Sequence, residues 1–178
     1  MSGWRPGDRR ADTASMLRVD QAGEYGATRI YAGQLAVLRR NCPEAKLVAR
    51  MAAQEERHLK RFNSLVAERR VRPTALQPLW NVAGFALGAA TALMSEKAAL
   101  ACTDAVETEI DRHYGKQLAE LGDEDPELAA DIADFRADEV EHRDAARGAG
   151  AIGAPAYPLL TTMIRAGCRV AIELSRRI

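Results

Sequence analysis

Two histidines in this chain follow a glutamate by three residues, and each pair has another glutamate about thirty residues upstream. The first set is Glu24, Glu55 and His58, and the second is Glu107, Glu139 and His142. Residues three apart on an α-helix lie on the same face, so each Glu-x-x-His pair directs a carboxylate and an imidazole towards one point. Two such points, each joined by a glutamate from a neighbouring helix, predict a site for two metal ions inside a four-helix bundle.

The ligand types narrow the choice of metal. Carboxylate and imidazole without thiolate suit iron or manganese in an open site, whereas a structural zinc site more often uses cysteine. Four glutamates would balance the charge of two divalent ions, which permits the site to be buried. The spacing by itself is equally compatible with iron storage, peroxidase chemistry and oxygenase chemistry.

Other glutamates compete for the ligand roles. Glu109 lies two residues after Glu107, but Glu107 is in phase with an apolar residue and with Tyr114, so Glu107 is preferred. Glu56 and Glu141 lie inside the Glu-x-x-His units and point away from the ligand direction, which predicts side chains that are solvated or that lie around the ligands.

Polar aromatic side chains near the ligands are candidates to hydrogen-bond them. They are Tyr25, Tyr31, His113 and Tyr114. His113 is six residues after Glu107 and therefore well off its direction, which favours a position on the helix surface or around the ligands. We expect no catalytic residue beyond the metal ligands and no organic cofactor.

The motif residues require four helices, expected at about residues 20–40, 44–70, 95–121 and 126–147. Asp125 is the expected N-cap of the fourth helix and Pro126 its first residue. No strand-like alternation of useful length occurs, so the predicted class is all-α. The long connection between the second and third helices is typical of a ferritin-like four-helix bundle. Residues 16–178 are expected to form one domain after a flexible lead, residues 1–15.

Two uncharged segments, residues 73–95 and 148–164, lie outside the predicted bundle helices. The truly apolar part of the first is about thirteen residues, too short to span a bilayer. We interpret both segments as buried or interfacial helices, with Trp80 and Tyr157 as candidates for the headgroup level. Ordinary core helices are the alternative that composition leaves open.

The overall composition excludes several classes. With 178 residues and 47% apolar residues, one domain with a sizeable core is expected. The formal net charge of zero argues against nucleic-acid binding. Three widely spaced cysteines, Cys42, Cys102 and Cys168, indicate a reducing compartment without a disulfide framework. Residues 1–16 contain no apolar segment of a secretory signal and no pattern of an organelle transit peptide.

Four segments are far more specific than the Glu-x-x-His motif. They read LRVDQAGEYGA at 17–27, IYAGQ at 30–34, PLWNVAGFALG at 78–88 and AGCRVAI at 166–172. These strings resemble the demethoxyubiquinone hydroxylase family, the di-iron monooxygenases of ubiquinone biosynthesis. The resemblance extends from about Ser15 to the C-terminus.

The resemblance implies a ferritin-like bundle that is peripherally attached to the membrane and hydroxylates a polyprenylated methoxy-benzoquinol with O₂. The implied ligands of its two iron ions are Glu24, Glu55, His58, Glu107, Glu139 and His142. The uncharged segments would then provide an access route for the prenyl tail and a surface that contacts the membrane. Because the targeting extension of the mitochondrial members is not seen, a bacterial member on the cytoplasmic side of the cell membrane is expected.

Other readings and partners stay open at this point. A homodimer and contacts with other ubiquinone-biosynthesis proteins are conceivable for a member of this family. Iron oxidation and storage of the bacterioferritin type uses the same ligand pattern, and a non-catalytic membrane scaffold with a degenerate site is a third reading. The uncharged segments argue against the subunit of a soluble cage.

Overall fold

The computed structural model describes residues 11–178, which form helices and no strand. The elements are α1 (Thr13–Val37), α2 (Pro43–Glu68), α3 (Gln77–Met94), α4 (Glu96–Leu121), α5 (Pro126–Gly148), a 3₁₀ turn (Ala151–Gly153) and α6 (Tyr157–Arg177). The bundle consists of α1, α2, α4 and α5, while α3 packs against α1 and α6 packs against α4. The predicted all-α class and ferritin-like bundle are confirmed.

The first helix begins earlier than the sequence pattern predicted. It starts at Thr13 instead of near residue 20, and the Asp12 carboxylate caps it by accepting a hydrogen bond of 3.0 Å from the Ser15 backbone N–H. Met16 and Leu17 in this added segment are buried, so the core stabilises it. Most of the expected flexible lead, residues 1–10, lies outside the described residues.

The boundaries of the other bundle helices follow local signals. Pro43 opens α2 directly after Cys42. The helix α4 ends at Gly122, whose φ of 48° lies in the left-handed region that favours glycine. Asp125 caps α5, with its carboxylate 3.1 Å from the backbone N of Leu128, and Pro126 is the first residue of that helix, as predicted.

Apolar side chains fill both ends of the bundle and leave a polar centre between them. One cluster joins residues such as Leu38, Val48 and Met51 with the apolar residues 98–101 of α4. The other joins residues such as Phe62 and Leu121 with α5 near its start. The six motif residues lie between these clusters, so the bundle ends fix the spacing of the helices around them.

The uncharged segments form helices on the outside of the bundle. Only Gly84, Gly88, Thr91 and Ala92 of α3 and Ile164 and Ser175 of α6 are buried. The alternative that these segments are ordinary core helices is therefore wrong. Trp80 and Tyr157 direct their polar ends inward, with Trp80 Nε1 donating to Ser175 Oγ at 3.0 Å and the Tyr157 hydroxyl donating to Asp104.

The backbones of α1 and α3 are in direct contact at two glycines. A Cβ on Gly88 would lie 1.9 Å from the carbonyl oxygen of Ile30, and a Cβ on Gly33 would lie 2.1 Å from that of Phe85. Only glycine permits this approach. Across the described residues, no helix combines the length and apolar character needed to cross a membrane.

Candidate metal centre

The structure brings the six motif residues together in the middle of the bundle. All six are at most 2% exposed. They form two groups, Glu24, Glu55, His58 and Glu139, and Glu55, Glu107, Glu139 and His142, and within each group one ligand atom per residue lies within 4.8 Å of the others. Glu55 and Glu139 belong to both groups, so their carboxylates lie between two candidate ion positions.

The chemistry of these atoms fits a bound cation. Of the thirteen buried side-chain polar atoms that lack a hydrogen-bond partner among the described residues, eight belong to the six residues of the centre. Leaving carboxylate oxygens buried and unpaired is costly. Burial and then repulsion from neighbouring carboxylates raise the pKa of Glu55 and of Glu107 well above the usual range. A divalent cation would relieve both costs.

Both histidines turn Nδ1 towards the carboxylates. His58 Nδ1 lies 3.1 Å from Glu139 Oε1 and 3.5 Å from Glu24 Oε2. His142 Nδ1 lies 3.1 Å from Glu55 Oε1 and 3.4 Å from Glu139 Oε2. Nδ1 is therefore the atom that each imidazole would offer to a metal.

The two imidazoles differ in their electrostatic surroundings. Burial lowers the pKa of His142. Burial also acts to lower that of His58, but the close carboxylates of Glu139 and Glu24 raise the pKa of His58 to about 10. The surroundings therefore shift the pKa of the two imidazoles in opposite directions.

Each imidazole has a partner on its outer nitrogen. His58 Nε2 lies 2.9 Å from Asp138 Oδ2, and His142 Nε2 lies 3.0 Å from Gln54 Oε1. If Nδ1 holds a metal, each imidazole would carry its proton on Nε2 and donate it to the partner oxygen, which would fix the orientation of the ring. The sequence interpretation missed Gln54 and Asp138, although each directly precedes the glutamate of a Glu-x-x-His unit.

Two tyrosines hydrogen-bond the two glutamates that belong to only one ligand group each, Glu24 and Glu107. Tyr31 on α1 donates to Glu107 Oε1 on α4 at 2.7 Å, and Tyr114 on α4 donates to Glu24 on α1. Each tyrosine follows one of these glutamates by seven residues and binds the other. This repeated Glu-x₆-Tyr spacing is the signal that distinguishes Tyr31 and Tyr114 from the remaining polar aromatics.

The other candidate residues lie outside the ligand groups. His113 Nε2 is 3.1 Å from Asp20 Oδ1, so it binds a neighbour of Glu24 on α1. In the described part of the chain, no hydrogen bond joins the Tyr25 hydroxyl to a ligand. Glu109 is buried but accepts hydrogen bonds from Arg165 at 2.7 Å and Arg169 at 2.8 Å on α6.

Glu56 and Glu141 are exposed, as their phase on the helices predicted. They lie on α2 and α5 within the Glu-x-x-His units, but their side chains are directed to solvent. The centre therefore takes one of the two glutamates in each Glu-x-x-His unit.

An apolar cavity of about 520 Å³ lies beside the centre, between α1, α3, α4 and α6. Its walls include Leu87, Met163 and Cys168. Ala27, Ile30 and Val106 line this cavity and also a narrow crevice, too tight for a water molecule, that reaches Tyr31 and Glu107. The cavity floor is therefore separated from the carboxylates by a thin apolar layer.

A helical bundle with a buried carboxylate and histidine centre is the class that this geometry defines. The family model described as ubiquinone biosynthesis protein COQ7 matches residues 11–175, and the chain belongs to that family. The 3-demethoxyubiquinol 3-hydroxylase of Rhodospirillum rubrum is 57% identical over 162 residues, which cover 91% of this chain and 76% of that protein.

Two eukaryotic relatives are also similar. The NADPH-dependent 3-demethoxyubiquinone 3-hydroxylase, mitochondrial, of Homo sapiens is 53% identical over 173 residues, which cover 95% of this chain and 79% of the human protein. The 5-demethoxyubiquinone hydroxylase, mitochondrial, of Saccharomyces cerevisiae is 44% identical over 179 residues, covering 92% and 77% of the two chains. Similarity to these hydroxylases therefore extends over almost the whole chain.

Proposed function

We propose that this protein is a di-iron monooxygenase that uses O₂ to hydroxylate the ring of a demethoxyubiquinol in ubiquinone biosynthesis. The observation that carries the proposal is the apolar cavity whose floor lies one thin apolar layer away from Glu107 and the buried centre. Relatives that match almost the whole chain are named as hydroxylases of this substrate class.

The six motif residues would hold two iron ions. Glu24 and His58 would bind one ion, Glu107 and His142 the other, and Glu55 and Glu139 would bridge them, because those two belong to both ligand groups. Bound iron would supply the redox chemistry that O₂ needs to react with a ring carbon. The four carboxylates would balance the charge of two ferrous ions.

The reaction replaces a ring C–H with C–OH. One oxygen atom of O₂ enters the ring and the other leaves as water, so a reductant must supply two electrons and two protons must be taken up. The human and mouse relatives are named NADPH-dependent, which makes NADPH the first reductant to test.

The chain's own residues would orient the reacting groups and exclude water. Tyr31 and Tyr114 hold the carboxylates of Glu107 and Glu24 in fixed orientations. The apolar layer formed by Ile30 and Val106 separates the cavity from the centre. Bulk water would compete with the substrate for the activated oxidant, and this layer keeps it away.

The substrate tail would enter from a lipid surface formed by α3 and α6. The large apolar side chains that are exposed lie on these two helices or directly beside them: Leu79, Val82, Phe85, Leu93, Met94, Ile152, Leu159, Met163, Val170, Leu174 and Ile178. Concentration of apolar surface on one part of a molecule marks an interaction site. We propose peripheral attachment to the cytoplasmic side of a bacterial cell membrane, with a second copy or another ubiquinone-biosynthesis protein as competing occupants of this surface.

The decisive experiment is anaerobic loading with ferrous iron, followed by exposure to ¹⁸O₂ in the presence of a short-tailed demethoxyquinol and NADPH. We expect one ¹⁸O atom in the ring of the product by mass spectrometry. The matched control is protein loaded with zinc, which binds similar ligands but has no redox chemistry. Absence of labelled product from protein that holds two irons per chain would refute the proposal.

Iron storage is the alternative that the ligand pattern permits. The exposed apolar surface of α3 and α6 is unsuited to a soluble cage subunit, and the family match favours the hydroxylase. Size-exclusion chromatography in mild detergent separates the two functions. A hollow assembly of many copies that accumulates far more than two irons per chain would support storage.

A further inference from the structure

We infer that the two ion positions are unequal, and that Asp138 makes the position of Glu24 and His58 the tighter one. The inference rests on the proposed function, because it presupposes a centre of two metal ions. It assigns a positioning role to the residue that precedes each Glu-x-x-His unit. Neither residue offers an atom to the two ligand groups.

The surroundings of the two positions repeat in detail. Counted from Glu24 and from Glu107, a tyrosine follows at seven residues and a glutamine at ten: Tyr31 and Gln34 in the first half, Tyr114 and Gln117 in the second. Tyr31 binds Glu107, and Tyr114 binds Glu24. Gln34 Nε2 contacts Thr103, four residues before Glu107, and Gln117 Nε2 contacts Asp20, four residues before Glu24. The repeat makes any chemical difference between matching positions informative.

The outer partners of the histidines occupy matching positions but differ in charge. Gln54 precedes Glu55 and contacts His142, whereas Asp138 precedes Glu139 and contacts His58. One imidazole therefore faces a neutral amide oxygen and the other a carboxylate. Arg57 binds Asp138 through a short ion pair, which holds the carboxylate in place although the Asp138 side chain is 19% exposed.

A second difference between matching positions also places an acidic residue near Glu24 and His58. The residues four positions before the two glutamates are Asp20 beside Glu24 and Thr103 beside Glu107. Asp20 Oδ1 lies 2.8 Å from Gln117 Nε2, while Thr103 Oγ1 lies 3.4 Å from Gln34 Nε2. At these two pairs of matching positions, the acidic residues Asp138 and Asp20 thus both belong to the position of Glu24 and His58.

A carboxylate that accepts the Nε2–H of a metal-bound imidazole draws that proton outward and increases electron density on Nδ1. A charge-assisted hydrogen bond is about twice as strong as a neutral one, so the amide of Gln54 has the smaller effect. Changing such a partner usually alters metal affinity by about 10–100-fold. The ion beside His58 is therefore bound first, and the ion beside His142 second.

The test is an anaerobic titration of the full-length, metal-free protein with ferrous iron, with calorimetry recording the heat of each binding step. A parallel sample receives one equivalent of ⁵⁷Fe for Mössbauer spectroscopy. In the unmodified protein we expect two binding steps that differ by about tenfold or more, and one quadrupole doublet at one equivalent. D138N should weaken the first step by about tenfold, and Q54E should strengthen the second by a similar factor.

D134N is the matched control. Asp134 lies on α5 one turn before Asp138 and binds the same Arg57 at 3.1 Å, but it has no hydrogen bond to His58. We expect D134N to leave both steps unchanged. The double variant Q54E/D138N should reverse the order, so that one equivalent of ⁵⁷Fe gives the doublet of the other position.

The outcomes separate this inference from the proposed function. Failure of the unmodified protein to bind two irons would count against the metal centre itself. Two equal steps, or equal effects of D138N and D134N, would overturn the inference and leave the proposed function intact. Thermal melts of the metal-free variants provide the check that all of them fold.

Discussion

Glu139 is the residue on which the centre depends most. Its Oε1 lies 3.1 Å from His58 Nδ1, and its Oε2 lies 3.4 Å from His142 Nδ1, so one carboxylate faces both imidazoles. It is fully buried, and both of its oxygens lack a hydrogen-bond partner among the described residues. A bound cation would give both oxygens the partner that the described residues do not supply.

E139Q tests that role. The amide cannot bridge two cations, so we expect bound iron to fall from about two per chain to one or none, with loss of hydroxylation. In the metal-free protein the change should not lower the melting temperature, because a buried neutral amide replaces a carboxylate that is costly to ionise. Metal analysis and calorimetry measure both effects. E141Q on the exposed side of the same helix is the control, and full iron content in E139Q would contradict the expectation.

At the residue scale, helical phase predicted which side chains meet. It selected Glu107 over Glu109 because the ligand set requires one direction on each helix. It did not identify Gln54 or Asp138, since their partners are on the opposite helix and depend on how α2 and α5 face each other. Contacts between helices are set by tertiary packing, which a single-helix period does not contain.

At the element scale, the position of α3 depends on two glycines. G88A places a Cβ where the Ile30 carbonyl oxygen lies, and α3 must move away from α1 to admit it. Overpacking of this kind costs about 1–3 kcal/mol. We expect a lower melting temperature and a wider, less selective cavity, measured by thermal unfolding and by binding of an apolar fluorescent probe.

G167A is the control for that change. Gly167 is in the middle of α6 with nothing within 4 Å of an added Cβ. Alanine there should stabilise the helix by up to about 1 kcal/mol. Equal stability of G88A and the unmodified protein would show that α3 is not held by backbone contact.

The start of α5 provides a pH-dependent test. The hydrogen bond from Arg69 lowers the pKa of Asp125 below its ordinary value of 3.8. Because the folded-state pKa is lowered, this carboxylate contributes stability above that ordinary value and loses the contribution as pH falls through the lowered pKa. D125N keeps a good capping side chain but loses the charge.

We therefore expect D125N to be less stable than the unmodified protein by about 1 kcal/mol or less at pH 7. The difference should shrink as the pH falls below 3.8 and through the lowered pKa. Urea unfolding over a series of pH values measures it, with D123N in the exposed part of the same loop as control. A difference that stays constant as the pH falls would assign the effect to capping geometry.

The element boundaries illustrate what sequence patterns contain. The signals at Asp125 and Pro126 predicted the start of α5 because they act on the adjacent backbone. The start of α1 was predicted too late because the residues from Thr13 onwards become helical through burial against the rest of the bundle. That the uncharged segments lie outside the bundle was equally beyond the pattern, since their composition suits a core helix as well.

At the scale of the whole molecule, the exposed apolar surface predicts binding to lipid. Leu93 on α3 is 74% exposed and Met163 on α6 is 65% exposed. L93D/M163D should abolish flotation with vesicles of a zwitterionic and an anionic phospholipid, because charged side chains are costly in an apolar phase. Iron content should not change.

A67D adds a charge to the exposed side of α2 and should float like the unmodified protein. Light scattering without vesicles distinguishes a lipid surface from a second copy of the chain. If L93D/M163D instead turned a stable dimer into a monomer, with no change in flotation, the surface would be a subunit interface.

The two apolar clusters that close the ends of the bundle have a consequence for motion. Helices usually fray from their ends, so amide hydrogens in the middle exchange most slowly. Here the middle holds repelling carboxylates while the ends hold the packed side chains. Removing the metal should increase local opening in the middle of the bundle, so that amides around Glu55 and Glu107 exchange faster than those around Val48 and Leu121. Deuterium uptake by mass spectrometry, with and without iron, would reveal a protein whose flexible part is its centre.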